Sequence, residues 1–250
     1  MELRDHQQKL LKSLKKDRFS LIKHSRQVGV TTVLKELIIE TLLNDSEAHI
    51  VYFSNRLSSA KDFLRQIKLD NRIVNLEKIK DNVFNLKLKN GNRLKITSTL
   101  SSLKGCHYSH VIIDNACFIK KLEIILEGII PLLSSIEKSK LILASSNKKG
   151  SPYFNKLFGD DKNNFIKNKI LWNEDIENLE IYENLRSIIS EEDFKNEMDL
   201  EDITETKTNK DQLLSFRVNK ELYYSLTKKL VEKDLSLSDY LRSLIEGDIS

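Results

Sequence analysis

The stretch from Phe19 to Leu43 most constrains how this chain can fold. Phe19-Ser-Leu-Ile22 is a short strand-like run, Lys23 to Thr32 reads as a loop, and Val33, Leu34, Leu37, Ile38, Thr41 and Leu42 recur as in a helix buried along one face. Strand, loop and helix in that order open a layered α/β domain. The rest of the first 150 residues fits. Leu3, Leu10, Leu11 and Leu14 have helical spacing, His49–Phe53 predicts a second buried strand, and Leu57–Ile67 a helix returning across the sheet. His110–Asp114 and Lys140–Ala144 are apolar runs ending at polar residues, with a helical pattern over Lys121–Leu133 between them. Such runs are buried parallel strands, and ligands in open α/β sheets sit at their carboxyl ends. Val83–Leu88 and Arg93–Thr97 flank Asn90-Gly91, which predicts a hairpin with a type I′ turn and positive φ at both central residues.

With 250 residues, 40% of them hydrophobic, the chain can bury a sizeable core. Its formal charge of +4 is uneven: residues 173–202 hold twelve Asp or Glu against Arg186 and Lys195, so residues 1–172 are strongly basic. A basic body suits a polyanion and equally suits a solvated Lys-rich surface. Cys106 and Cys117 lack metal-ligand spacing and read as reduced thiols serving as small apolar fillers. The polar amino terminus predicts neither a signal peptide nor a membrane span, hence a protein that stays in the cytoplasm of whatever cell makes it. Helical patterns at Leu179–Ile189 and Glu191–Met198 precede a polar linker over 201–211.

Two positions carry the chemistry. Ser25-Arg-Gln-Val-Gly-Val-Thr-Thr32 leads into a helix amino terminus, where backbone N–H groups and the helix dipole attract phosphate. A phosphate loop of this kind places a lysine before the Mg²⁺-binding threonine, and here Val30 precedes Thr31. Asp114 ends an apolar strand run, at the edge of the sheet where ligands sit, and is followed by the amide Asn115.

These motifs, in this order, resemble the ATPase domain of the terminase large subunit, the motor that packages DNA into viral capsids. The resemblance runs over about residues 3–200. Leu3-Arg-Asp-His-Gln7 is similar to the family's adenine-contacting glutamine motif, and residues 25–32 to its S-R-Q-x-G-K-T loop. Val111-Ile-Ile-Asp-Asn-Ala-Cys-Phe118 is similar to a strand ending in D-E-A-x-F. Leu143-Ala-Ser-Ser-Asn147, with Gly150, Tyr153 and Phe154, resembles the coupling motif; Lys104-Gly105, Glu192-Asp-Phe194 and Glu197 fit the layout.

The resemblance implies a P-loop NTPase-like, mostly parallel sheet with flanking helices. It implies ATP contacts from Gln7, Lys23, Ser25, Arg26, Gln27, Gly29, Val30, Thr31 and Thr32, and Mg²⁺ at Thr31 and Asp114. It implies a general-base position at Asn115 and coupling through Ser145, Ser146 and Asn147. Loss of both the loop lysine and the catalytic glutamate predicts slow or absent hydrolysis, with Lys23 or Arg26 offered as a replacement charge. Too few residues follow position 200 for the family's nuclease domain to be expected.

Leu214-Ser-Phe-Arg-Val218 alternates as a strand, Asn219 caps a helix to about Lys233, and Ser236 or Ser238 caps a second through Glu246. This β-α-α pattern resembles the ribbon-helix-helix family. Such a unit cannot bury its own apolar face, which implies a homodimer. The family's ribbon lies in the major groove of double-stranded DNA, which places Leu213, Ser215 and Arg217 toward bases and Ser238 near a phosphate. A dimerisation device that never touches DNA is the alternative.

The predicted scheme is therefore a degenerate ATPase-like domain at 1–200, a linker at 201–211 and a ribbon-helix-helix at 212–250. The expected function is a DNA-binding, terminase-related accessory protein or regulator, with terminase or portal subunits as further partners and no membrane. The alternatives are an active packaging ATPase, its catalytic carboxylate supplied by Glu123 or another subunit, and a decayed prophage remnant without function.

Overall fold

A computed structural model describes residues 2–99, 107–134, 138–149, 152–175 and 179–201. The expected linker beyond Glu201 and the ribbon-helix-helix, with Leu213, Ser215, Arg217 and Ser238, lie outside the described residues, as do Lys104, Gly105, Cys106 and Gly150.

Eight strands form one sheet: β1 (Phe19–His24), β2 (His49–Ser54), β3 (Lys78–Asp81), β4 (Asn85–Leu88), β5 (Arg93–Thr97), β6 (His110–Asp114), β7 (Lys140–Ser145) and β8 (Ile166–Ile170). Their order is β3-β4-β5-β2-β6-β7-β1-β8. From β5 to β8 every pairing is parallel; β3 and β4 join antiparallel at one edge. The fold is thus a mixed, mostly parallel sheet with flanking helices, as expected. β6 is buried along its whole length, as its uninterrupted apolar run requires.

The helices are α1 (Asp5–Lys16), α2 (Val30–Asn44), α3 (Leu57–Lys68), α4 (Asn71–Val74), α5 (Leu122–Ser134), α6 (Tyr153–Gly159), α7 (Leu179–Ile188) and α8 (Glu191–Glu197). Strand alternation divides the core in two. Ile22, Ile50, Tyr52, Ile112 and Ile142 join the apolar sides of α1, α2 and α3. Leu21, Val51, Phe53, Val111 and Leu143 join α5 and α6 on the other face. Among the described residues no helix is long and apolar enough to cross a membrane.

Three expectations need correction. The loop expected over Lys23–Thr32 shrinks at both ends: Lys23 and His24 pair on as part of β1, and α2 already begins at Val30. β3 and β8 escaped the sequence reading because they carry mostly exposed, charged or polar residues, as edge strands do. The type I′ turn is not formed either. Gly91 has φ +92°, but Asn90 does not enter the positive-φ region; its carboxamide instead accepts the Asn92 N–H at 3.1 Å.

The neighbouring Asn92 closes this end of the sheet. Fully buried, it accepts from the Ala48 N–H (2.6 Å) and donates to the carbonyls of Leu42 (2.9 Å) and Asp45 (2.6 Å), tying the end of α2 to the hairpin. Truncation strands the buried Ala48 N–H and removes both bonds that hold the end of α2, although the Leu42 carbonyl keeps the Asn90 amide as a donor. Asn92→Ala is expected to lose about 3 kcal/mol, read as a lowered urea midpoint with an unchanged m-value.

Candidate nucleotide site

The loop Ser25–Gly29 leaves β1 at the carboxyl edge of the sheet and turns into α2. Two residues in left-handed backbone make the turn, Gln27 (φ +64°) and Gly29 (φ +80°). Gly29 is required twice over, because a Cβ there would also lie 2.1 Å from Gln7 Nε2. Gln7 is buried; its amide donates to the Val28 carbonyl (3.2 Å) and its oxygen accepts the Arg4 N–H (3.1 Å). His6 Nε2 donates to the same Val28 carbonyl at 2.9 Å. The amino-terminal motif therefore holds the loop directly.

Arg4, Gln7, Gln27, Gly29, Thr32 and Asp175 are among the residues lining a cleft of about 720 Å³, a volume suited to a nucleotide. Across its mouth Arg4 pairs with the buried Asp175 carboxylate at 2.5 Å, which also accepts from the Tyr182 hydroxyl at 3.0 Å. Burial, then the hydrogen bond and charge of Asp175, pushes the Tyr182 hydroxyl well above the usual phenol range.

Within the loop the expected residues divide. As the first residues of a helix, Val30 and Thr31 present N–H groups without intrahelical partners. Thr31 is exposed and Thr32 half-buried, whereas the Val30 side chain is only 2% exposed and belongs to the core. Ser25 is not directed at the cleft: its hydroxyl donates to the Met198 carbonyl and accepts the Trp172 N–H (2.9 Å). Arg26 is exposed, its guanidinium 3.3 Å from Glu197 and its N–H bonded to the Glu197 carbonyl. Strand alternation sends Lys23 to the α6 side, its ammonium 5.8 Å from the Phe158 ring centroid. Loop and acidic segment are thus joined at Ser25 and Arg26.

At the end of β6, Asp114 is 4% exposed; one oxygen accepts the Tyr52 hydroxyl (2.6 Å), the other the Asn115 N–H (2.8 Å). Tyr52 stacks on Phe63 with centroids 3.9 Å apart. Burial, then the charge of Asp114, pushes its hydroxyl far above the usual phenol range, so it stays a donor. Asn115 takes φ +58°, a conformation asparagine tolerates. Ser145 Oγ accepts the Cys117 N–H (3.0 Å), Ser146 is buried beside it, and Asn147 links the Asn155 side chain (2.8 Å) to the Glu201 carbonyl (2.8 Å).

Besides Asp175 and Tyr182 at the cleft, the sequence reading missed Tyr52 and His24. Tyr52 orients Asp114 from the adjacent strand. His24 follows Ile22 on the α2 side, donates Nδ1–H to the Ser25 carbonyl (2.8 Å) and feels the Asp114 charge. Burial lowers its pKa, opposed by that hydrogen bond and by Asp114. Period-two alternation along β1 was the available signal for His24; nothing local marked Tyr52.

The tight approach of Gln7 to Gly29 sets a test. Gly29→Ala is expected to destabilise by more than about 1 kcal/mol through positive φ and the clash. Adding Gln7→Ala removes the clash, so the double variant should lose less than the sum of the singles; strict additivity in thermal unfolding would show that Gln7 does not press on the loop.

A sequence model described as terminase large subunit, T4likevirus-type, N-terminal matches residues 21–213. No curated protein sequence matches. Among solved structures, the large terminase ATPase domain of Thermus phage P74-26 aligns with a TM-score of 0.60 at 16% identity, covering 77% of this chain and 92% of that one. The large terminase of a second thermophilic bacteriophage, in complex with ADP, gives 0.64 at 14%, covering 78% and 52%. That of bacteriophage HK97 gives 0.56 at 15%, covering 68% and 39%. The chain thus spans about half the length of the ADP-bound protein. It belongs to the terminase large subunit family, matching its T4likevirus-type amino-terminal part.

Proposed function

We propose that this protein serves phage DNA packaging as a DNA-handling, terminase-derived accessory subunit or regulator whose nucleotide site is retained but catalytically impaired. One observation carries this reading. Beside the intact Asp114, the residue positioned for the base is Asn115, and the residue opening α2 is Val30, its side chain in the core. The site has the turn and Asp114, and lacks a lysine at position 30 and a carboxylate at position 115.

The fit to a nucleotide is therefore partial. The second thermophilic phage's large terminase has been solved with ADP and with ATP-γ-S. In this chain Arg4 and Gln7 would meet the base, the N–H groups opening α2 the phosphates, and Thr31 with Asp114 a Mg²⁺ ion. Mg²⁺ would supply neutralising charge that Val30 cannot. An absent general base costs roughly 10²- to 10⁴-fold in rate. Steady-state ATP turnover with and without duplex DNA checks this: the natural chain should be near background, and Val30→Lys with Asn115→Glu should raise turnover at least tenfold.

A second reading, an active ATPase with a deviant loop, has one observation in its favour. His24 lies on the α2 side of β1 within the field of Asp114, where an imidazole offers a base. Turnover by the natural chain that vanishes in His24→Asn would establish it. Lys23→Ala and Arg26→Ala assign the replacement charge: whichever weakens nucleotide binding at least tenfold supplies it, and unchanged affinity in both removes the idea.

The carboxyl-terminal residues are proposed to dimerise as a ribbon-helix-helix and read duplex DNA through Arg217, with Ser215 and Leu213 beside it and Ser238 at a phosphate. Arg217→Ala should cost about 1–3 kcal/mol of site-specific affinity in a gel shift while leaving the dimer intact. Equal binding by both proteins would mean a dimerisation device only.

A further inference from the structure

Strands β3, β4 and β5 extend the sheet beyond β2, and among the described residues only one of their faces packs into a hydrophobic core cluster. Leu86, Leu88, Leu94 and Ile96 point into the cluster with Phe63, Leu64 and Ile67 of α3. The cluster beneath α5 and α6 contains no residue of these three strands. Alternation sends the intervening side chains to that second face.

Register aligns them in a row. Lys80 pairs with Lys87, Lys87 with Arg93, and Arg93 with His49, placing three cations and a histidine side by side across β3, β4, β5 and β2. They line a groove of about 520 Å³ together with Lys95 and Asn85, and among the described residues no acidic one lines it. Among the described residues no carboxylate pairs with Lys80, Lys87 or Arg93. His49 Nε2 is buried without a hydrogen-bond partner.

Like charges directly opposite one another destabilise a sheet, so this row costs stability unless an anion shares it. At strand spacings of about 4.8 Å the row spans roughly 14 Å. Its cations are regularly spaced at the ends of long side chains around a floor that includes Ile50, Leu94 and Tyr108, which suits a partner whose own charge repeats.

We propose that this sheet face binds the phosphodiester backbone of DNA without sequence preference, separately from any reading of bases at the carboxyl terminus. The proposal rests on the DNA-handling function above. Three contacts of this kind contribute a salt slope of about 2.7, since each phosphate neutralised contributes about 0.9.

The test uses the full chain carrying Arg217→Ala, with binding to random-sequence duplex followed by anisotropy from low to moderate salt. Adding Lys80→Gln, Lys87→Gln and Arg93→Gln should reduce the slope of log K against log salt by between about 2 and 3, and weaken binding at least tenfold near 0.1 M salt. The melting temperature should hold or rise, because repulsion is removed, so a fall in binding with a native melt is not misfolding. An unchanged slope with tight binding by the parent overturns the sheet-face site alone. No duplex binding by the chain without these substitutions overturns both this site and the DNA-handling reading. If the triple variant keeps its DNA affinity but loses self-association in sedimentation, the face meets the acidic 173–202 segment of a second copy, and the proposal fails.

Discussion

The carbonyl of Val28 is the point on which this domain turns. It accepts hydrogen bonds from His6 and Gln7, two residues of the first helix, at the one place where the loop has no side chain to keep them away. The loop is fixed on its other side by Ser25, whose buried hydroxyl joins the Trp172 N–H and the Met198 carbonyl. Each end of the five-residue turn thus depends on chain more than 15 residues away on one side and more than 140 on the other. β1 can present a strained turn because it is itself paired on both edges, with β7 and β8.

A loop held this way keeps its shape when its chemistry changes. The backbone N–H groups and the Gly29 conformation do not require a lysine at position 30, and valine gains burial there. The same holds at the end of β6, where Tyr52 and the Asn115 N–H satisfy the Asp114 carboxylate. Asparagine adopts the positive φ of that position at little cost, because its short polar side chain can hydrogen-bond locally.

Charge is separated in the chain as well as in the site. The acidic residues of 173–202 include those that engage the loop and the cleft, through Glu197 with Arg26 and Asp175 with Arg4. The basic residues include a row on the far end of the sheet with no such partners among the described residues. The net charge of +4 conceals both arrangements. Asn147 and Asn196 both donate to the Glu201 carbonyl, so the last described residues are anchored just beyond the end of β7 and to α8.

Local pattern was enough for the central strands and the helices that cover them, because β2, β6 and β7 must be apolar on both faces and α1, α2 and α3 on one. It also singled out Ser25–Thr32 and Asp114, which the structure places at the carboxyl ends of β1 and β6, since those follow from residue type at a fixed spacing. Only the tertiary structure could assign Ser25 to the acidic segment, Tyr52 to Asp114, and Asn92 to the end of α2, for each of these bonds joins residues far apart in the chain. The edge strands β3 and β8 were hidden for a related reason: an edge has too little apolar burial to leave a periodic trace. The cation row is invisible in sequence because its members are aligned by strand register, which is set by hydrogen bonding between β3, β4, β5 and β2 and not by spacing along any one of them.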